Sequence, residues 1–253
     1  MEFRLLGPFE AYHDGVRVEV GSRRQERCLL AILLLETGKL VPIDRLVELL
    51  WDGVPPRSPR GVVHTYIGRL RATLGPCGLT IATCGDGYRV ETGTHTTDVA
   101  CFTDLVQGAV GIADLGERVD RYDRALTLWR GPLLADVAAD RLRQRLGADL
   151  TELWLSSCEL RAQTQLELGR CDPVVADLTT LARRHPTRER LVTALMTALY
   201  RTARQAEALR LYQATRHVLA RDLGVEPGPE LRGLHAQILR DDPEAGERPL
   251  PVY

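Results

Sequence analysis

Lysine is almost missing from this chain. Of 33 basic residues in 253, Lys39 alone is a lysine, and arginine carries the rest of the positive charge. Such a bias reflects a GC-rich genome, and it also has a chemical side: guanidinium makes planar, bidentate contacts to phosphate and guanine that an ammonium cannot make. Net charge is missing too. A formal charge of −1 excludes a wholly basic nucleic-acid coat, so any nucleic-acid binding has to come from a local patch. No apolar run approaches the ~18 residues of a membrane span, and "MEFRLLGPFEAY" lacks the basic-then-apolar layout of a secretion signal. The longest apolar string, "CLLAILLL", is bounded by charge and predicts a core helix. These features predict a cytoplasmic protein with no membrane partner.

Cysteine is present but unorganised. Cys28, Cys77, Cys84, Cys101, Cys158 and Cys171 are scattered, with no C-x-x-C pair and no Cys/His cluster at ligand spacing. That argues against a disulfide framework and a zinc site, and predicts packing residues in a reducing compartment. His13, His95, His185, His217 and His235 are isolated and read as surface or packing residues. There is no G-x-x-x-x-G-K-[ST] loop, no G-x-G-x-x-G after a strand and no G-x-S-x-G elbow. The chain is therefore expected not to be an enzyme and to carry no cofactor or metal.

The most local absence is of acid. From Gly53 to Gly85 there is no aspartate or glutamate, and "RSPRGVVHTYIGRLRATLG" (57–75) holds four arginines and a histidine. Val63, Ile67, Leu70 and Leu74 fall at helical spacing with Tyr66 beside them, so this segment predicts a helix with one core-facing stripe. Ser58 is expected to cap it and Pro59 to occupy its first turn. Its other side shows Arg60, Gly61, His64, Thr65, Gly68 and Arg71, with Arg69 on the flank.

The neighbouring patterns place that helix. Residues 2 to about 20 alternate in short runs around Asp14-Gly15, a hairpin signal. "SRRQERCLLAILLLETG" predicts a helix capped by Ser22 and stopped at Gly38, with Arg23, Arg24 and Arg27 solvated at its start. "KLVP" is a short extended piece, and "IDRLVELLW" a second helix with Ile43, Leu46, Val47 and Leu50 on one face. After Gly75-Pro76, "LTIATCG" and "YRVET" form a hairpin through "GDG". Strands, three helices and a closing hairpin describe a winged helix-turn-helix whose third helix reads DNA. In that arrangement Arg60, Gly61, His64, Thr65, Gly68 and Arg71 are expected to face the major groove. Arg57, Arg69, Thr83 and Tyr88 are expected to meet phosphates.

From Asp98 onward only helical periodicity remains, in segments near 98–115, 117–130, 140–169, 172–185, 187–202, 204–223 and 228–241. Tyr122, Trp129, Trp154, Tyr200 and Tyr212 sit at helical spacing and are expected in the core. Leu166, Val174 and Leu178 recur 34 residues later as Tyr200, Ala208 and Tyr212. That is the tetratricopeptide period, in which helix pairs bury their apolar faces by stacking. The fold class expected is mainly α with a small β component: an N-terminal winged helix followed by an all-α helical-repeat domain.

With those residues in view, the chain resembles the SARP family, the antibiotic regulatory proteins of Streptomyces and relatives. The first-half stretches are "FRLLGPFEAYHDG", "RRQERCLLAILLLETGKLVPIDRLVELLW", "PPRSPRGVVHTYIGRLRATLG" and "GYRV". The second-half stretches are "ALTLWRGPLLADV" and "HPTRERLVTALMTALYRTARQAEALRLYQATRHVLARDLGVEPGPELRGLHAQIL". The resemblance implies an OmpR/PhoB-type winged helix over 1–96 and a bacterial transcriptional activation domain over 97–242. Residues 243–253 would be a flexible tail or truncated linker. It further implies binding to direct repeats near the −35 element by side-by-side protomers or a dimer, and recruitment of RNA polymerase holoenzyme with its sigma factor. The target would be a secondary-metabolite cluster. By the same likeness Trp51, Asp52 and Arg57 belong to a polymerase-facing loop, and Thr83 and Tyr88 match wing positions that contact the DNA backbone. The wing tip departs from the pattern: "CGDG" is short and lacks the arginine seen in some relatives. Two other readings stand beside this one: a helical-repeat adaptor without DNA function, and the N-terminal part of a larger nucleotide-regulated regulator.

Overall fold

The computed structural model describes residues 1–51, 53–93 and 95–240; Asp52 of the expected polymerase-facing loop and the expected tail 243–253 lie outside the described residues. The architecture is mainly helical with two small sheets, as the patterns predict. The chain divides into two compact units. One is Met1–Gln107 with Arg124–Leu153; the other is Gly108–Asp123 with the chain from Trp154 onward.

The first unit opens with β1 (Glu2–Arg4), β2 (Glu10–His13) and β3 (Val16–Arg17), an antiparallel meander. Asp14 and Gly15 join β2 to β3 with φ of 50° and 79°, the two positive values of a type I′ turn. Then come α1 (Arg24–Leu35), β4 (Val41–Pro42), α2 (Ile43–Trp51), α3 (Pro59–Leu74), β5 (Ile81–Cys84), β6 (Gly87–Val90) and β7 (Thr96–Thr97). β7 pairs parallel to β1, an addition that two threonines could not announce, and completes the order β3-β2-β1-β7. The second sheet has the order β4-β6-β5. Gly87 is required there, because a Cβ would collide with the Val41 carbonyl oxygen across the β4–β6 pairing.

Helix α1 buries Cys28 through Leu34 without interruption, so it runs through the middle of the unit. Its expected cap does not form: Arg23, not Ser22, holds the N-cap position, and no side chain bonds there. Arg23 and Arg24 are exposed as expected and Arg27 is half-buried, but Arg24 and Arg27 are also bonded. Arg24 Nε donates to the Val137 carbonyl at 3.0 Å, and Arg27 donates to the Phe9 carbonyl at 3.1 Å and pairs with Asp136.

Those contacts belong to a clasp between residues 5–9 and 130–138, both in the first unit. The Arg130, Leu134 and Ala135 amides donate to the carbonyls of Leu6 (2.7 Å), Leu5 (2.9 Å) and Gly7 (3.0 Å). Asp136 accepts from the Phe9 amide at 2.7 Å, and Asp98 accepts from the Leu5 and Leu6 amides at 2.7 and 2.9 Å. Burial raises the pKa of Asp98, against the lowering effect of these amides and of Arg130. Leu5, Leu6, Phe9, Leu133, Leu134 and Val137 are all buried at the joint. The segment after residue 123 thus completes a core that begins at residue 3.

In the second half, helices α4 (Asp98–Val110), α5 (Leu115–Thr127) and α6 (Asp140–Glu167) each contribute residues to both units. They are followed by α7 (Cys171–Arg184), α8 (Glu189–Arg201), α9 (Gln205–Val218) and α10 (Pro229–Leu239). Within the second unit α8 is the axis: every residue from Leu191 to Leu199 is buried, between α7, α9 and α10. Arg161 pairs with Asp123 and Asp177.

The 34-residue period is carried by the backbone itself. α9 begins and ends 34 residues after α7, and α8 ends 34 after α6. Gly169 and Ala203, also 34 apart, take φ of 71° and 59° at the ends of α6 and α8. The next amides close matching bonds, Arg170 to the Gln165 carbonyl at 2.9 Å and Arg204 to the Leu199 carbonyl at 2.8 Å. Each is the six-to-one bond of a left-handed helix stop.

All six cysteines are free. Burial pushes the thiol pKa up to about 11 at Cys28 and about 12 at Cys158, so both stay protonated and inert. Cys101 departs from the packing expectation and is exposed. No helix among the described residues is long and apolar enough to cross a membrane.

Candidate nucleic-acid interface

Helix α3 has 16 residues, about 24 Å of helix, and two unlike faces. Val63, Tyr66, Ile67, Leu70 and Leu74 are all buried, the stripe that the periodicity predicts. Arg60, Gly61, His64, Thr65, Gly68, Arg69 and Arg71 are exposed. Ser58 stands at the N-cap but its hydroxyl makes no capping bond, and Pro59 follows. The first-turn amides therefore have no side-chain cap.

The exposed face is not left bare. The acids absent from the local sequence arrive from elsewhere in the fold. Arg60 donates through Nε and Nη2 to Asp44 Oδ1 at 3.0 and 2.7 Å, and through Nη2 to Asp44 Oδ2 at 2.6 Å. Asp86, in the β5–β6 turn, has Oδ1 3.7 Å from Arg60 Nη1. The hydrogen bonds that Arg60 donates to Asp44, then the charges of Asp44 and Asp86, raise the Arg60 pKa. Arg69 Nη1 lies 3.9 Å from a carboxylate oxygen of Glu26, whose side chain is buried. Arg57 is exposed and makes no ion pair with any described residue.

Arg71 does something different from its neighbours. Nε and Nη2 donate to the Ile81 carbonyl at 2.8 and 2.6 Å, and Nη2 also donates to Thr83 Oγ1 at 2.8 Å. The guanidinium splints α3 to the wing strand β5. Its carbon sits 5.8 Å from the Tyr88 ring centroid, and His64 meets the same ring edge-on at 6.1 Å. Tyr88 itself is buried beneath them, while Thr83 is exposed. Thr65 spends its hydroxyl proton on the Gly61 carbonyl at 2.9 Å, so outward it offers lone pairs and a methyl group.

The structure thus brings Arg60, Gly61, His64, Thr65 and Gly68 onto one exposed strip, with Thr83 and Arg71 joined at its wing side. In the expected polymerase-facing loop Trp51 is half-buried at the end of α2, and Arg57 and Val54 are exposed, Val54 by 82%. Asp44 and Asp86 were not among the expected site residues. Their signal was faint: an acid in the first turn of α2, and another in the wing turn, both near the start of α3 only once folded.

Two known families match. The family described as "Transcriptional regulatory protein, C terminal" covers residues 18–90, and "Bacterial transcriptional activator domain" covers 97–239. The chain is similar to the regulatory protein DnrI of Streptomyces peucetius, 35% identical over 258 residues, 96% of this chain and 93% of the relative. It is 41% identical over 254 residues to the regulatory protein AfsR of Streptomyces coelicolor, 98% of this chain but 25% of that one. It is 35% identical over 250 residues to the transcriptional regulatory protein EmbR of Mycobacterium tuberculosis, spanning 96% of this chain and 64% of EmbR. A solved structure of Mycobacterium tuberculosis EmbR in complex with a low-affinity phosphopeptide superimposes with a TM-score of 0.84 at 34% identity, over 96% of this chain and 65% of that one.

Proposed function

We propose, from the premise that this chain belongs to the SARP family of transcriptional regulators, that it is a sequence-specific DNA-binding activator that recruits RNA polymerase. The observation that carries the reading is the two-faced α3. Its aliphatic stripe is fully buried while Arg60, Gly61, His64, Thr65 and Gly68 stay exposed beside a wing. An α-helix fits the B-DNA major groove, and the small residues at 61 and 68 permit close approach. Arg60 is placed for guanine O6 and N7, and Thr65 for a thymine methyl or a base donor. Arg57, Arg69 and Thr83 are the phosphate set, joined by the uncapped amides at the start of α3. Arg71 and Tyr88 support this set from behind.

The remaining parts of the reading come from the family. Protomers lie side by side, as a dimer or a tandem pair, on direct repeats near the −35 element of a secondary-metabolite promoter. The loop from Trp51 to Arg57 turns toward RNA polymerase and its sigma factor.

Anisotropy titrations on duplexes selected by the protein from a random pool test the core of this reading. Affinity is expected to fall with salt by a slope of roughly −0.9 per phosphate neutralised. Arg60→Ala and His64→Ala relax base preference, whereas Arg69→Ala weakens all duplexes alike and lowers the salt slope by about one. A uniform loss in all three variants removes the groove assignment. No binding at low salt replaces the DNA reading with that of a protein-interaction adaptor.

A further inference from the structure

We propose that Asp44, on the supporting helix α2, is a specificity-determining positioning residue: it grips one edge of the Arg60 guanidinium and aims the other at a guanine. The proposal rests on the DNA reading above and deepens it.

The geometry of the pair carries the inference. Guanidinium has two edges that can bind bidentate acceptors. One is formed by Nε with Nη2, the other by Nη2 with Nη1. Asp44 occupies the first: its oxygens take Nε at 3.0 Å and Nη2 at 2.7 and 2.6 Å. The Nη1–Nη2 edge keeps a parallel pair of N–H groups, and this edge matches guanine O6 and N7. Asp86 lies 3.7 Å from Nη1, beyond hydrogen-bond distance, so it attracts that edge without occupying it. Asp44 comes from a different helix, so the pair is not the i,i+4 decoration of one surface. Both side chains are more than half exposed, 54% for Arg60 and 70% for Asp44, as a contact to a large external partner requires.

An arginine reaching from a helix has four side-chain torsions to settle on binding, and any fork left free can also drift to a phosphate. A partner that fixes the guanidinium plane beforehand removes both problems, at the cost of a negative charge near DNA. Asp44 therefore weakens binding to DNA in general and sharpens it for the duplex with guanine in the right place. That trade separates positioning from simple neutralisation, because a merely blocking carboxylate would weaken all duplexes in proportion.

The test uses the full chain, duplexes selected by the wild-type protein, and a set in which each guanine is replaced in turn. Wild type is measured first; failure to bind any duplex there refutes the DNA reading, an outcome separate from those of the Asp44 variants. Asp44→Asn is expected to bind random duplex as tightly as wild type or more so, while the matched-to-mismatched ratio at one guanine falls roughly tenfold. Ratios at the other positions stay the same. In an Arg60→Ala background the Asp44→Asn change is expected to leave that ratio unmoved. Asp44→Glu, which keeps the charge on a longer arm, recovers part of the discrimination. Unchanged discrimination in Asp44→Asn overturns the proposal, and so does an equal gain on matched and mismatched duplexes, which identifies a block and not an aim. Loss of the ratio that persists without Arg60 overturns it too.

Discussion

Changing Asp136 to alanine should loosen the first unit, and the cost can be worked from its contacts. Asp136 accepts the Phe9 amide at 2.7 Å and pairs with Arg27. Phe9 is 2% exposed, so its N–H would be stranded away from water. A charge-assisted bond to a buried amide contributes about 1.5–3 kcal/mol. The ion pair is screened, with side chains 27% and 35% exposed, and adds about 0.5–1 kcal/mol. The expected loss is about 2–4 kcal/mol, which for a unit of this size lowers its melting temperature by roughly 6–16 °C. Asp136→Asn keeps an oxygen for the amide and loses only the charge, so its cost should be about half. Urea denaturation gives the free energies, and hydrogen exchange at the Leu5, Leu6 and Phe9 amides gives the location. A loss below about 0.5 kcal/mol, or unchanged exchange at those amides, would refute the view that residues 124–153 complete the core of the first unit.

The repeat supplies a matched pair of substitutions. Ala203→Gly relieves an L-residue held at positive φ and should stabilise the second unit by about 0.5–1 kcal/mol, whereas Gly169→Ala at the equivalent stop should cost about 1 kcal/mol; thermal melts of both read the signs, and like signs would break the equivalence. His95 predicts a pH dependence. Its pKa is lowered from 6.5 by burial, then by the N-terminal charge, so the unfolded chain binds the proton more readily. Stability from this group is therefore present above about pH 6.5 and is lost as pH falls through the lower folded value. Between pH 7.5 and 5.5 the urea midpoint should fall further for wild type than for His95→Gln; equal falls would show that another group governs the acid limb.

What the sequence made legible was whatever repeats at a fixed period. The buried stripe of α3 follows from the spacing of Val63, Ile67, Leu70 and Leu74, and the helical stacking from a 34-residue recurrence. Asp14-Gly15 announced its turn because few residues tolerate two positive φ values. What stayed hidden is made between distant segments. The pairing of Thr96-Thr97 with β1 has no periodicity to betray it. The partners of Arg24 and Arg27, Val137 and Asp136, lie more than a hundred residues away, so no local pattern announces them. The candidate site divides in the same way. Its exposed face was readable from helical spacing, but the partners of Arg60, Arg69 and Arg71 were not, since Asp44, Glu26 and the Ile81 carbonyl come from other elements.

One of those partners has a bearing on solubility. The Glu91 amide bonds the Thr80 carbonyl, so in the antiparallel ladder the neighbouring Ile81 carbonyl points away from β6, toward the sheet's outer rim. A rim of unpaired carbonyls and amides invites a strand from a second molecule. Here a guanidinium already sits on that carbonyl, and any approaching copy would bring an identical cation to the same place. The Arg71 guanidinium thus guards the open edge of β5 in the way that a charged side chain guards any edge strand.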